Sequence, residues 1–148
     1  MSIKSSMNLG TVRKLPKVVL DTNIIISALI FGGNPEQIYK LVLNKQIFPI
    51  TSPVLIAELT EILIKKFKFD LIKIKQLENS IKKYFKIVHP DKTLNLLRDK
   101  DDNRVLEAAS EGKCYYIITG DKDLLELSSF KNIEILTADQ FLNSVFRG

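Results

Sequence analysis

Apolar residues follow two different spacings along the chain, and stretches of the two kinds alternate. Short runs rich in β-branched residues predict buried strands, whereas apolar residues three or four positions apart predict helices that bury one face. The predicted strands cover residues 18–20, 46–50, 85–88, 115–118 and 133–136. The predicted helices cover residues 23–31, 53–67 and 138–145, and three more begin at Asn34, Asp70 and Asp102.

Residues that start and stop helices mark several of these boundaries. Ser52 is a capping residue before a first-turn proline, Pro53, and Asn34 stands in the same relation to Pro35. Gly112 is placed to end the helix that begins at Asp102. The breaks therefore fall between the predicted elements and not inside them.

The alternation of strands and helices predicts the fold class. It favours a mainly parallel sheet with helices on both faces, an α/β fold of the three-layer α/β/α sandwich type. A chain of 148 residues has the length of one domain, which we place at residues 17–148. We expect residues 1–16 to form a flexible, basic leader without an apolar run of signal-peptide length.

The composition argues against several classes of protein. A single cysteine cannot build a disulfide framework or a cysteine-rich zinc site, and it fits a reducing cytoplasm. The single histidine, His89, lies beside Pro90, where nothing supports a serine–histidine or cysteine–histidine nucleophile. No stretch approaches the ~20 apolar residues that cross a bilayer. The net charge of +5 suits a polyanionic partner, although many basic proteins bind no nucleic acid.

Two aspartates follow predicted strands. Asp21 comes directly after residues 18–20, and Asp121 follows residues 115–119 across one glycine. Each alone is an ordinary turn aspartate. In open parallel sheets, however, ligands bind beyond the carboxyl ends of the strands, so the two acids are candidates for one site.

Two further acids belong to predicted helices. Three of the four residues that share a helical face with Glu58 are apolar, so its carboxylate lies on or beside a stripe that faces the core. Glutamate is almost never buried without a partner, although a boundary position that reaches solvent is the alternative. Asp102 lies just before a helix, where it either caps the helix or directs its carboxylate into a cleft.

Carboxylates are the donors that remain for chemistry, and clusters of them select Mg²⁺ or Mn²⁺ over zinc. Two carboxylates ~4 Å apart repel each other by about 4 kcal/mol at an effective dielectric constant of 20. A domain has only ~5–15 kcal/mol of stability in total. If these acids converge, bound cations are therefore expected to hold them together.

Four segments of the chain, in order, resemble the motifs of PIN domains. These segments are residues 18–23 (VVLDTN), 54–59 (VLIAEL), 102–109 (DNRVLEAA) and 117–124 (IITGDKDL). The similarity runs from about residue 17 to about residue 142, and its best match is the group described as toxin components of toxin–antitoxin systems. It implies an α/β/α sandwich, Mg²⁺- or Mn²⁺-dependent cleavage of RNA, a possible protein antitoxin and frequent homodimers.

With the resemblance in place, each candidate residue receives a hypothetical role. Asp21 and Asp121 are the principal metal ligands, and Glu58 and Asp102 hold ordered water or a second ion. Asn23 and Thr119 position these acids, and Asp123 is an outer metal ligand. Basic residues beside the motifs bind the substrate phosphate: Arg104 and Lys122.

Three other interpretations stay open at this point. The first is a non-catalytic RNA-binding or regulatory module on the same fold. The second is a phosphoryl-transfer protein, but a response-regulator receiver is expected to carry paired acids after its first strand. A haloacid-dehalogenase-like phosphatase is expected to have a second aspartate at position 23, which is Asn23 here. The third is a protein that only binds a partner and needs no metal.

Overall fold

The computed structural model describes residues 15–146. The strands are β1 (Lys17–Leu20), β2 (Phe48–Thr51), β3 (Lys86–Ile87), β4 (Tyr116–Ile118), β5 (Ser129–Phe130) and β6 (Ile133–Leu136). The helices are α1 (Thr22–Ile30), α2 (Gly33–Leu43), α3 (Pro53–Phe67), α4 (Leu71–Tyr84), α5 (Lys100–Glu111), α6 (Lys122–Leu127) and α7 (Ala138–Gln140), the last continuing as a π-helical segment (Phe141–Phe146).

The described strands form one six-stranded sheet in the order β3-β2-β1-β4-β6-β5. Every neighbouring pair is parallel except β5 with β6, which is antiparallel. In the centre, Val19 of β1 lies opposite Ile50 of β2 on one side and Ile117 of β4 on the other. The predicted mainly parallel sheet is confirmed.

The sheet separates two hydrophobic cores, because successive residues of a strand point to opposite faces. Val18 and Leu20 pack into the core that is covered by α1 to α4, whereas Val19 packs into the core beneath α5. In β4, Ile118 and Ile117 divide in the same way. Helices therefore cover both faces, as the α/β/α prediction requires.

Several predicted boundaries need correction. The helix predicted to be capped by Asn34 is α2, which begins two residues earlier than expected, at Gly33, with Gly32 in the capping position at φ 80°. The Asn34 side chain instead donates to the Asp139 carboxylate at 3.4 Å. The helix expected to begin at Asp102 is α5, which begins at Lys100 and is capped by Asp99. In both cases a neighbouring residue fits the helix start better than the predicted one.

Two short elements were not predicted, namely α6 and β5. Each has six residues or fewer, so neither is long enough to show a clear hydrophobic period. Residues 1–14 of the expected leader lie outside the described part of the chain, and that expectation stays a prediction. Within the described part, no helix combines the length and the apolar character needed to span a membrane.

Gly112 follows α5 as predicted, and its backbone keeps a right-handed conformation. Its φ is −79°, and the positive φ falls on Lys113, at 52°. A Cβ added at Gly112 would stand 2.7 Å from Cδ1 and 2.8 Å from Cγ2 of Ile50. A Cβ at this position would force the Ile50 side chain to move, which explains why glycine fits where the end of α5 meets β2.

Gly112→Ala is therefore expected to lower the free energy of unfolding by ~1–3 kcal/mol through overpacking against Ile50. Gly120→Ala is the matched control, because a Cβ at Gly120 meets no atom within 4 Å, and its change should stay within about 0.5 kcal/mol. Urea denaturation of both variants measures the difference. Equal stabilities would show that the close approach to Ile50 is unimportant.

Candidate metal centre

The carboxyl ends of β1 and β4 lie side by side and bring two of the predicted acids together. Asp21 follows β1, and its backbone N–H donates to the Ile118 carbonyl of β4 at 2.9 Å. Thr119, which is fully buried, donates its hydroxyl to Asp21 Oδ2 at 2.7 Å. The same hydroxyl oxygen accepts the Asp121 backbone N–H at 2.9 Å. One threonine therefore fixes the positions of both aspartates.

Asp21 and Asp121 both precede helices but use their carboxylates differently. Asp121 caps α6, because its Oδ2 accepts the Leu124 N–H at 3.0 Å. Asp21 stands in the capping position of α1 but makes no such side-chain bond. Its carboxylate is buried and turned towards Thr119. Burial raises the pKa of Asp21, the Thr119 hydroxyl opposes this, and the nearby Asp121 adds to it.

Asp102 lies in the first turn of α5 and points inwards. It is 5% exposed, and its Oδ2 is buried without a hydrogen-bond partner among the described residues. Burial first, and then the neighbouring Asp121 carboxyl group, raise its pKa to about 7. Since Asp99 caps the helix, the Asp102 side chain is not needed for that role and is available to the cluster.

Glu58 lies at the edge of the same cluster, on α3. It is half-buried, and its Oε1 accepts the Thr22 hydroxyl at 2.8 Å. Burial raises the pKa of Glu58 to about 7, the Thr22 hydrogen bond lowers it, and Asp101 and Asp21 raise it. The influence of Asp21 shows that Glu58 and the strand-end acids share one electrostatic environment.

The tightest group of possible ligands differs from the predicted quartet. Asp102, Asp121 and Asp123 each offer a carboxylate oxygen, and these oxygens lie within 4.8 Å of one another. Asp123 was expected only as an outer ligand, yet it stands among the three. Asp21 and Glu58 complete the surroundings through their electrostatic contacts with Asp102 and Asp101.

The donor set fits a divalent cation. The donors are hard carboxylate oxygens, which Mg²⁺ and Mn²⁺ prefer. Among residues 15–146, the buried Oδ2 of Asp102 has no hydrogen-bond partner, and such an atom normally has a ligand or costs stability. Burial and repulsion from Asp121 raise the pKa of Asp102, and a bound cation would offset both effects.

The other predicted residues differ from one another in exposure and in contacts. Lys122 is exposed in the first turn of α6, next to Asp121, and Asn23 is exposed in the first turn of α1. Arg104 is partly buried, and its Nη2 contacts the Leu94 carbonyl and Glu107 Oε2, each at 3.0 Å. Those contacts occupy part of its guanidinium group inside the protein.

Sequence reasoning missed two residues of the site. Thr22 positions Glu58 from the helix that follows Asp21, and Asp101 lies close enough to Glu58 to raise its pKa. The signal for Thr22 was its position directly after a candidate ligand. Asp101 gave no signal in the sequence, because its contact with Glu58 of α3 depends on tertiary packing.

Thr119→Val should show how much the buried hydroxyl contributes. Valine keeps the shape of the side chain but removes the donor to Asp21 and the acceptor for the Asp121 N–H. Loss of a partner that orients a ligand typically lowers metal affinity or activity ~10–100-fold. Calorimetric titration with Mn²⁺ measures the affinity, with the conservative Thr119→Ser as control. Wild-type affinity in the valine variant would show that the Thr119 hydroxyl does not contribute to metal binding.

Comparison with known proteins agrees with this geometry. Residues 17–123, well over half of the chain, match the PIN domain family, and the match includes every acid of the site. An uncharacterised protein of Methanocaldococcus jannaschii is 36% identical over 116 residues, which cover 75% of this chain and 74% of that relative. PIN domains are in general nucleases that use divalent metals. The chain belongs to the PIN-domain family.

Proposed function

We propose that the protein is a Mg²⁺- or Mn²⁺-dependent endoribonuclease, which hydrolyses phosphodiester bonds within RNA. The observation that supports this proposal is the convergence of acids from three separate segments (Asp21, Asp102 and the pair Asp121 and Asp123) around an Asp102 oxygen that is buried without a hydrogen-bond partner among residues 15–146. A structural protein would have to tolerate this repulsion without any benefit. A metal-dependent hydrolase needs it, because the acids hold the cation.

Within this proposal, each acid has a task that follows from its surroundings. Asp102, Asp121 and Asp123 hold the ion, since their oxygens are the closest group. Asp21 contributes from the buried side, where Thr119 fixes its orientation. A bound divalent ion supplies activation of a water nucleophile and neutralises charge on the scissile phosphodiester.

Glu58 serves the side of the site that faces α3. The Thr22 hydroxyl holds Oε1 of Glu58, and the Asp101 carboxyl group lies close enough to raise the Glu58 pKa, so a second ion or ordered water would meet both acids there. Lys122 stands beside Asp121 on the exposed first turn of α6 and is suited to contact a substrate phosphate. Arg104 remains a candidate for the same task only with the part of its guanidinium group that Leu94 and Glu107 do not occupy.

RNA is the proposed substrate, and three observations support it. The net charge of +5 favours a polyanion. The order and spacing of the four motifs resemble those of the toxin group, for which RNA cleavage is implied. Helices α3 and α4 and the turn between them carry many exposed lysines, namely Lys65, Lys66, Lys68, Lys73, Lys75, Lys82 and Lys83.

The same resemblance supports a biological setting. We propose that the protein is the toxin of a toxin–antitoxin pair, acts in the cytoplasm, and forms homodimers that a protein antitoxin can bind. Large apolar side chains at Phe31, Leu71 and Ile72 are 73%, 78% and 70% exposed. These exposed apolar side chains are candidates for contact with a second protein chain. Light scattering at several concentrations would test the dimer.

The nuclease proposal is tested by incubating defined RNAs with the protein and Mn²⁺ or Mg²⁺. Cleavage is expected with either metal and none with excess chelator. Asp121→Asn should lose cleavage, because it removes a ligand charge while an asparagine can still cap α6. Lys113→Asn, an exposed substitution just beyond the C-terminal end of α5, is purified in the same way and should keep full cleavage. It controls for a contaminating nuclease and for general effects of a substitution. Cleavage that survives the chelator would contradict the proposed chemistry.

A further inference from the structure

The connection between β3 and α5 is fastened to α5 by side chains at two positions. The Leu94 N–H donates to Glu107 Oε2 at 2.8 Å, and the Leu94 carbonyl accepts from Arg104 Nη2 at 3.0 Å. The Leu97 N–H donates to Asn103 Oδ1 at 2.8 Å, and the Leu97 carbonyl accepts from Asn103 Nδ2 at 2.7 Å. Both backbone groups of both leucines are therefore bonded to the helix.

We call residues 94–98 the strap. Its anchors are buried, because Asn103 is 1% exposed and Glu107 is 8% exposed. Arg104 and Glu107 also form an ion pair at 3.0 Å. Buried hydrogen bonds rigidify the segments that they join, although Arg104 Nε is left without a partner among the described residues. The strap is thus held firmly against the same helix whose first turn contributes Asp102 to the acid cluster.

The strap ends in a hollow beside the acid cluster. Leu96, Leu97 and Arg98 form one wall of a hollow of about 340 Å³, and α6 forms the other wall with Asp123, Glu126 and Leu127. Asp123 belongs both to this hollow and to the group of three carboxylates. The hollow therefore opens directly onto the place where a divalent ion would bind.

Arg98 is the cationic group of this hollow. It is exposed, and within residues 15–146 it forms no ion pair shorter than 4 Å, although Asp123 and Glu126 line the same hollow. A guanidinium group matches the geometry of a phosphate and binds it through two parallel hydrogen bonds. Leu96, which is 54% exposed, adds apolar surface next to it.

We infer that the hollow between the strap and α6 binds one nucleotide of a single-stranded RNA next to the scissile phosphate, with Arg98 on its phosphate. This inference rests on the proposed ribonuclease function and identifies one wall of its substrate groove. The volume lies at the lower end of the range for small-ligand sites, ~300–1,000 Å³. A nucleotide whose base has left the stack can enter such a hollow, which a base-paired helix cannot do.

The inference also explains the arrangement of the anchors. Asn103 fixes the backbone of Leu97, so α5 sets the position from which the exposed Arg98 side chain extends. Arg104 fixes the other end of the strap and thereby acts as a positioning residue for it. The third acidic motif then contributes a metal ligand and two anchors of the substrate wall from three consecutive residues.

The test compares Arg98→Ala with Lys92→Ala in cleavage of a single-stranded RNA oligonucleotide. Both residues are exposed cations in the same connection, but Lys92 lies beside Glu111 and Lys113, away from the acid cluster. Arg98→Ala is expected to raise KM ~5–10-fold while kcat stays within about twofold, as loss of uniform substrate binding requires. Loss of one phosphate contact should lower the salt dependence of binding by ~0.7 in log–log slope. Arg98→Lys should restore part of the binding.

Each result decides the inference. If the wild type cleaves RNA but Arg98→Ala and Lys92→Ala have the same KM and salt slope, the subsite is wrong and the ribonuclease proposal stands. A fall in kcat alone, with KM unchanged, also overturns the subsite. If the wild type neither binds nor cleaves RNA, both proposals fail together. Melting temperatures within about 1 °C of wild type show that the exposed substitutions leave the fold intact.

Discussion

Replacing Asp102 by Asn is expected to lower metal-dependent RNA cleavage by more than ~100-fold, beyond the range for groups that only orient a ligand. The same change is expected to raise the melting temperature of the metal-free protein. The two effects have one cause. The Asp102 carboxylate is 5% exposed, one of its oxygens has no partner among the described residues, and Asp121 adds repulsion. An amide of the same shape removes the buried charge and the metal ligand together.

Asp99→Asn is the matched control for this prediction. Asp99 begins the same helix and carries the same charge, but it caps α5 from an exposed position. Asparagine is an equally good capping residue, so stability and cleavage should both change little. Thermal unfolding without metal and initial cleavage rates with Mn²⁺ give the two readings. If Asp102→Asn lowered the melting temperature of the metal-free protein as well as the cleavage rate, the Asp102 carboxylate would be a structural group and not part of a metal centre.

The metal-free protein is expected to lose stability as the pH rises from about 4 to about 7. The pKa values of Glu58 and Asp102 rise from 4.5 and 3.8 to about 7 on folding, chiefly because both groups are buried. Between the two values the folded state binds more protons than the unfolded state, so deprotonation opposes folding over this window. Above about pH 7 both states are ionised at these groups, and their contribution becomes constant.

Mn²⁺ is expected to remove most of this loss, because it binds the ionised carboxylates of the folded protein alone. At 100 times its dissociation constant it adds ~2.7 kcal/mol, which corresponds to roughly 5–10 °C for a domain of this size. Melting curves at about pH 5 and about pH 8, with and without Mn²⁺, measure both effects. A stabilisation by Mn²⁺ that is as large at the lower pH as at the higher would contradict the assignment. Asp102→Asn should reduce both the pH dependence and the response to metal.

Local patterns in the sequence predicted most of the scaffold. The limits of α3 and β6 agree with the predicted residues 53–67 and 133–136. The capping role of Ser52 is also confirmed, and Asp70, predicted to begin a helix, caps α4. These features depend on neighbours within a few positions of the chain, which explains why they are readable without coordinates.

Gly112 shows how a correct boundary can have a different physical cause. The sequence indicated a helix end at this glycine, and α5 ends there. The reason is not the left-handed backbone that a glycine permits, since that conformation belongs to Lys113. The reason is the close approach to Ile50, a residue 62 positions away, which no local pattern can reveal.

The sequence alone therefore determined the alternating elements, the mainly parallel sheet and the acids at the ends of β1 and β4. These follow from hydrophobic period and from the position of a residue after a strand, both of which are local. Only the tertiary structure decided that Asp123 joins Asp102 and Asp121, that Thr22 holds Glu58, and that the strap brings Arg98 beside them. Those distances depend on strand order and on the angles at which helices pack, because each joins side chains of separate elements.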